Sequence, residues 1–182
     1  MKENYVAYDY VSINVKNDLE PMYRDCYENF GWIPVSSESR KNDYYINSTI
    51  NISDLVTLKF KRDRKINNKA ELQTLQRKCE SAFEKISKLE KEPGTSATTY
   101  SLSVATIGIV FMAISVFSIT GESILWAPAI IGGALGIIGW ILPFLVFKKI
   151  KTKKTEENVS KIEEQYNIIY DTCEEGRKLI TE

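Results

Sequence analysis

Apolar and polar positions follow three rhythms along this chain. "NYVAYDYVSINV", Asn4 to Val15, is rich in β-branched and aromatic residues and predicts a strand. "NDLEPMYRDCYENFGW" then sets Leu19, Met22, Cys26 and Phe30 at helical spacing, with Asn17 as N-cap, Glu20 as its capping-box partner and Gly31 as the stop. Trp32 to Ser37 reads as a second strand and Tyr44 to Ser53 as another. Val56, Leu58 and Phe60 alternate with Thr57, Lys59 and Lys61 in the last. The predicted unit over residues 1–64 is an α+β domain of strand, helix and two or three further strands, β-α-β-β without the segment at Tyr44 to Ser53.

The rhythm then lengthens. Leu72, Leu75, Cys79, Ala82, Ile86 and Leu89 recur in steps of three and four, which predicts an amphipathic heptad helix over 65–92 that breaks at Pro93-Gly94. Val159, Ile162, Tyr166, Ile169, Cys173, Gly176 and Ile180 repeat the pattern over 148–182. Between these segments all periodicity vanishes. From Tyr100 to Phe147 the only Asp, Glu, Lys or Arg is Glu122. The run from Ile124 to Phe147 reaches roughly 35 Å as a helix, against about 30 Å of hydrocarbon core. Tyr100 to Ile119 is also long enough. The expectation is a transmembrane helical hairpin, 98–120 and 124–147, turning at "TGES". A hairpin brings the two heptad segments together, so an antiparallel coiled-coil stem follows. No Pro or Gly separates Pro143 from Gly176, so the second span is expected to continue directly into its helix.

Charge orients the hairpin. The 26% of charged residues and zero net charge average two unlike regions. Lys148, Lys149, Lys151, Lys153 and Lys154 follow the second span, Lys85, Lys88 and Lys91 precede the first, and the turn has no Lys or Arg. Cytoplasmic flanks are enriched in these residues, so the reading is a multi-pass cell-membrane protein with both termini cytoplasmic. Tyr100 and Trp126 fall at span ends, where amphipathic rings favour the headgroup level. "MKENYVAYDY" has no apolar h-region, which leaves insertion to the first span.

"YVAYDYVSINV", "FGW" and "LKFKRD" resemble a family of small uncharacterised bacterial α+β domains over the first 62 residues, and the whole chain resembles bacterial two-span membrane proteins. The resemblance implies the α+β fold and transfers no activity.

Candidate chemistry is sparse. Gly132, Gly133, Gly136 and Gly139 crowd eight positions, but no strand precedes them and no Lys-Ser or Lys-Thr follows, so they are not a phosphate cradle. Ala129, Gly132, Gly133 and Gly136 instead form a small-residue helix-packing interface. It serves either a homo-oligomer or partner, or, the favoured account, the hairpin itself against Ser101, Ala105 and Gly108. The five lysines after the second span are placed against membrane lipid headgroups, as topology anchors. "KFKRDRK" reads as a solvated strand face; with no nucleic-acid motif, no nucleic acid is expected as a partner. "NST", "NIS" and "NVS" read as chance glycosylation matches.

Cys26, Cys79 and Cys173 form no CxxC pair and are read as buried small hydrophobes, although Cys79 and Cys173 both lie on seams where a redox latch is conceivable. The absence of histidine removes the commonest general base and metal ligand. No catalytic, cofactor-binding or metal-ligating residue is assigned. The leading expectation is a non-enzymatic integral membrane protein, an anchoring, scaffolding or accessory subunit. Its coiled stem and α+β domain would contact a protein partner or other copies. The alternative is a small oligomeric pore or holin-like permeabilising protein. An enzyme with its site in the α+β domain ranks third.

Overall fold

The computed structural model describes residues 6–39, 55–120 and 125–181. The expected strand at Tyr44 to Ser53, most of the TGES turn, and the NST and NIS matches lie outside them. Two compact units emerge: Met1–Glu84 with Gln165–Glu182, and Lys85–Glu164.

The first unit opens with β1 (Tyr8–Lys16), α1 (Glu20–Asn29), β2 (Ile33–Ser39) and β3 (Leu55–Asp63), the predicted β-α-β-β order. The sheet is antiparallel with order β1-β3-β2. Central β3 alternates, so Val56, Leu58, Phe60 and Arg62 are buried; Val15, Ile13 and Val11 of β1 oppose the first three. Edge strand β2 carries Pro34 and an irregularity in register between Pro34 and Ser36. A proline that cannot donate to a ladder is confined to such an edge.

The capping box is not formed. Asn17–Leu19 make a 3-10 turn, α1 begins at Glu20, and that carboxylate pairs with Arg24 at 2.5 Å. Pro21 sits in the first turn, where its missing N–H costs no helical bond. Gly31 stops the helix as expected, at φ 80°, with its N–H donating to Glu28 O.

The unit extends beyond residue 64, because α1 and the sheet close on helices α2 (Lys69–Thr120) and α3 (Trp126–Thr181). Tyr27 stacks on Phe60 at 4.7 Å and Tyr23 on Phe83 at 3.9 Å. Phe30 is 0% exposed, and its ring fills the space that a side chain at Gly176 would need. Asn68, at φ 55°, precedes α2 and donates through Nδ2 to Leu179 O, one of the last carbonyls of α3.

In the second unit α2 and α3 run antiparallel: Glu92 meets Lys154, Gly108 meets Gly139, and Ser115 meets Ala129. Leu125 N–H donates to Ser118 O near the turn. The predicted break at Pro93-Gly94 is overturned, since α2 passes through both without ending. Proline at 93 deprives Leu89 O of its usual i+4 donor. Asn158, 1% exposed, supplies a replacement from α3: its Nδ2 donates to Leu89 O at 3.0 Å and to Glu92 Oε2 at 3.0 Å.

Both long helices contain a stretch long and apolar enough to cross a membrane, and only 11% and 17% of those windows is buried. The second expected span continues into its helix within α3, as the sequence predicts, and the first is likewise part of a longer helix, α2.

The heptad positions of α2 are placed inward as expected: Leu72, Cys79, Ala82 and Ile86 are buried. On α3 the expected Ile169, Cys173 and Gly176 are buried, but the face also takes in Asn158, Gln165 and Thr172, while Val159 and Ile180 are exposed. Polar side chains tolerate burial where they are bonded, and Thr172 Oγ1 donates to Ile168 O at 2.6 Å.

Candidate functional site

Three neighbourhoods carry chemistry beyond apolar packing. The first gathers every cysteine of the chain. Cys26 comes from the buried face of α1, Cys79 from the inward row of α2 and Cys173 from α3; all three are buried and free, with sulfurs within 4.8 Å of one another. Hydrogen bonds from Cys26 and then Cys79 hold the Cys173 thiol well below the usual thiol range. The bonds to Cys173 and then Cys26, with burial, push Cys79 up, and the bond to Cys173 leads the rise at Cys26.

Its frame is polar and bonded. Trp32 Nε1 donates to Gln76 Oε1 at 2.9 Å, Gln76 Nε2 to Glu80 Oε1 at 2.8 Å, and Tyr27 Oη to the same oxygen at 2.6 Å. Burial first, then the Glu80 carboxylate, raises the Tyr27 hydroxyl above the ordinary phenol range. Burial, with the neighbouring Cys79 thiol next, pushes Tyr23 up to about 12.

The second neighbourhood is the glycine ridge. Ala129, Gly132 and Gly136 are buried and Gly133 is half-buried. A Cβ at Gly132 would lie 3.0 Å from Phe111 O, at Gly133 3.2 Å from Ser115 Oγ, and at Gly136 against the Met112 side chain. Ser115 Oγ donates to Ala129 O at 2.6 Å. The ridge thus meets Phe111, Met112 and Ser115 of α2, nearer the turn than the expected Ser101 and Ala105. Gly108 does take part, but with Gly139, which reasoning from the GxxxG spacing left out. A Cβ on Gly139 would lie 2.5 Å from Gly108 Cα.

The third is the lysine cluster. Lys148, Lys149, Lys151 and Lys153 are exposed, with Lys148, Lys149 and Lys153 lining a shallow surface depression. Lys154 is turned to Glu92 at 3.2 Å and to Glu157 at 3.8 Å. Glu92 first, by hydrogen bond and charge, raises the Lys154 ammonium above its ordinary value.

Two residues escaped the sequence reading. Arg62, expected on a solvated face, is 1% exposed; its guanidinium lies 4.3 Å from the Trp32 ring and donates to Phe30 O at 3.3 Å. Burial lowers its pKa while Asp9 opposes the shift. The alternation Val56, Leu58, Phe60 pointed to position 62 as the next inward residue. Asn158, passed over as a chance match, is the partner of the proline-bearing turn, and the signal available was Pro93 within a seam.

No protein-family model, curated protein or solved structure matches this chain.

Proposed function

We propose that the protein is a membrane-anchored, non-enzymatic accessory subunit with both termini in the cytoplasm, where its α+β unit and paired heptad segments contact a protein partner or further copies. One observation carries the anchor. The glycines of the apolar stretches and Ala129 are used within the chain's own helix pair, and bulky residues, Phe117, Trp140 and Phe144 among them, face outward. Lipid solvates such a surface and water does not. Four hydroxyls favour an anchor over a pore: Ser103, Thr106 and Ser118 each bond back to a carbonyl of their own helix and Ser115 bonds to Ala129 O, which occupies donors that a wet path would need, while Ser101 Oγ is buried without a partner. For contacts, edge strand β2 offers exposed Ile33 and Val35.

The test is alkaline extraction of membranes carrying the full chain, paired with dye release from liposomes into which it is reconstituted. Retention in the membrane pellet without dye release is expected. Extraction into the supernatant would sink the anchor, and release at low protein-to-lipid ratio would replace it with the pore.

A further inference from the structure

We propose that Cys26, Cys79 and Cys173 form a metal site that binds one soft, thiolate-preferring ion, zinc(II) or copper(I), through three sulfurs. The argument is geometric and does not depend on membrane anchoring. Three thiols from three different helices converge with all sulfurs within 4.8 Å, and they are the only cysteines in 182 residues. A metal–sulfur bond of about 2.3 Å sets the sulfurs of a three-thiolate site roughly 4 Å apart, so the cluster closes on an ion with a contraction of under about 1 Å. The ligands select the ion. Sulfur donors in a buried, carboxylate-free cluster favour zinc or copper(I), whereas magnesium and calcium require oxygen ligands.

The surroundings hold the ligands in place. The Trp32–Gln76–Glu80–Tyr27 hydrogen bonds tie the α1 region to α2, and the stacked Tyr23 and Phe83 rings pack the same two helices together, so Cys26 and Cys79 keep their spacing without the ion. Binding exchanges protons for metal: three S–H bonds break and three sulfur–metal bonds form, the thiol protons leave to solvent, and no electron is transferred.

The experiment uses full-length protein in detergent, purified without oxygen in a non-thiol reductant and stripped with a chelator. One arm is titrated with zinc alone and the other with copper(I) alone, each against a chromophoric competitor. The expected result is one ion per chain surviving desalting in at least one arm, a thiolate-to-metal charge-transfer band, and proton release. The arm with the tighter constant names the ion. Cys26→Ser, Cys79→Ser and Cys173→Ser should each weaken binding by more than about 100-fold, beyond the 10–100-fold typical of groups outside the ligand shell. Circular dichroism checks that the variants fold, and if one does not, the band and stoichiometry of the unaltered protein decide. Failure of the reduced protein to retain an ion in either arm, with three free thiols titrated after denaturation, would overturn the proposal and leave the sulfurs as apolar filling. A disulfide recovered from reductant-free protein, together with that failure, would overturn it in favour of a redox latch.

Discussion

In the first unit the bulky side chains lie inside: Phe30, Phe60, Tyr27 and Trp32 are all buried, and the one glycine pressed among them, Gly176, makes room for a ring. In the second unit Phe117, Trp140 and Phe144 are more than 70% exposed, while Ala129, Gly132, Gly136 and Gly139 are buried and two backbones touch at Gly108 and Gly139. The proposed membrane anchor accounts for this difference, with two solvents sorting the same side chains in opposite senses. Water drives large apolar surface inward at roughly 25 cal/mol per Å². Lipid supplies no such drive, so helices there associate where small residues let them approach.

The largest test of this contrast sets a buried ring against an outward one. Phe30→Ala should cost about 3–5 kcal/mol, read as the loss of a cooperative denaturant transition in near-UV circular dichroism. Phe117→Ala should stay within about 0.5 kcal/mol. Comparable losses at both sites would show that the outward ring is covered, and the contrast would fail.

Glycine gives the converse test inside the second unit. Gly139→Ile must displace the Gly108 backbone and should lower thermal stability in micelles by about 1–3 kcal/mol or more. Gly94→Ala meets nothing within 4 Å and should gain up to about 1 kcal/mol from helix propensity. Equal effects would mean that close backbone approach is not what holds this pair.

A smaller effect separates polar from apolar closure. Asn158→Ala leaves Leu89 O without its cross-helix donor and should cost about 1–3 kcal/mol. In a Pro93→Ala background residue 93 regains an N–H for that carbonyl, so the same substitution should cost about 1 kcal/mol less, a coupling measurable by a double-mutant cycle. Strict additivity would disprove the link between the proline and the amide.

The smallest is electrostatic. Asn158 and then Lys154 hold the Glu92 carboxyl below its ordinary 4.5. A depressed folded-state pKa contributes stability above the unfolded value and loses it as pH falls through the folded one. The melting-temperature gap between the natural protein and Glu92→Gln should therefore be widest near neutrality and close as pH drops below about 4.5. Because the pair is half-exposed, added salt should narrow the gap as well. A gap unchanged by pH would remove the ionic part of this contact.

The strands, α1 and the amphipathic segments were legible from local periods, two in β3 and mixed three and four in α2, and the two apolar stretches from their length and lack of charge. The capping box was misread because a side-chain cap competes with other partners, and Glu20 pairs with Arg24 instead. The α3 face was read only in part because periodicity counts only apolar residues: Ile169, Cys173 and Gly176 are buried as expected, whereas Asn158 and Thr172 are buried through hydrogen bonds. The cysteine cluster was half visible. Cys79 and Cys173 shared facing seams and Cys26 lay on the apolar stripe of α1, but nothing local states where α1 docks along α2. That position is set by tertiary contacts such as Tyr23 on Phe83 and Tyr27 on Glu80, which no window of sequence contains.

The amide of Asn158 also orders events in time. Leu89 and its donor stand 69 residues apart in the chain. At about 5–20 residues per second, a ribosome makes the acceptor roughly 3–14 s before the donor exists. During that interval the turn above Pro93 has only water to bond, so the first long helix is synthesised as a helix with a gap. It becomes whole when the second one returns alongside it.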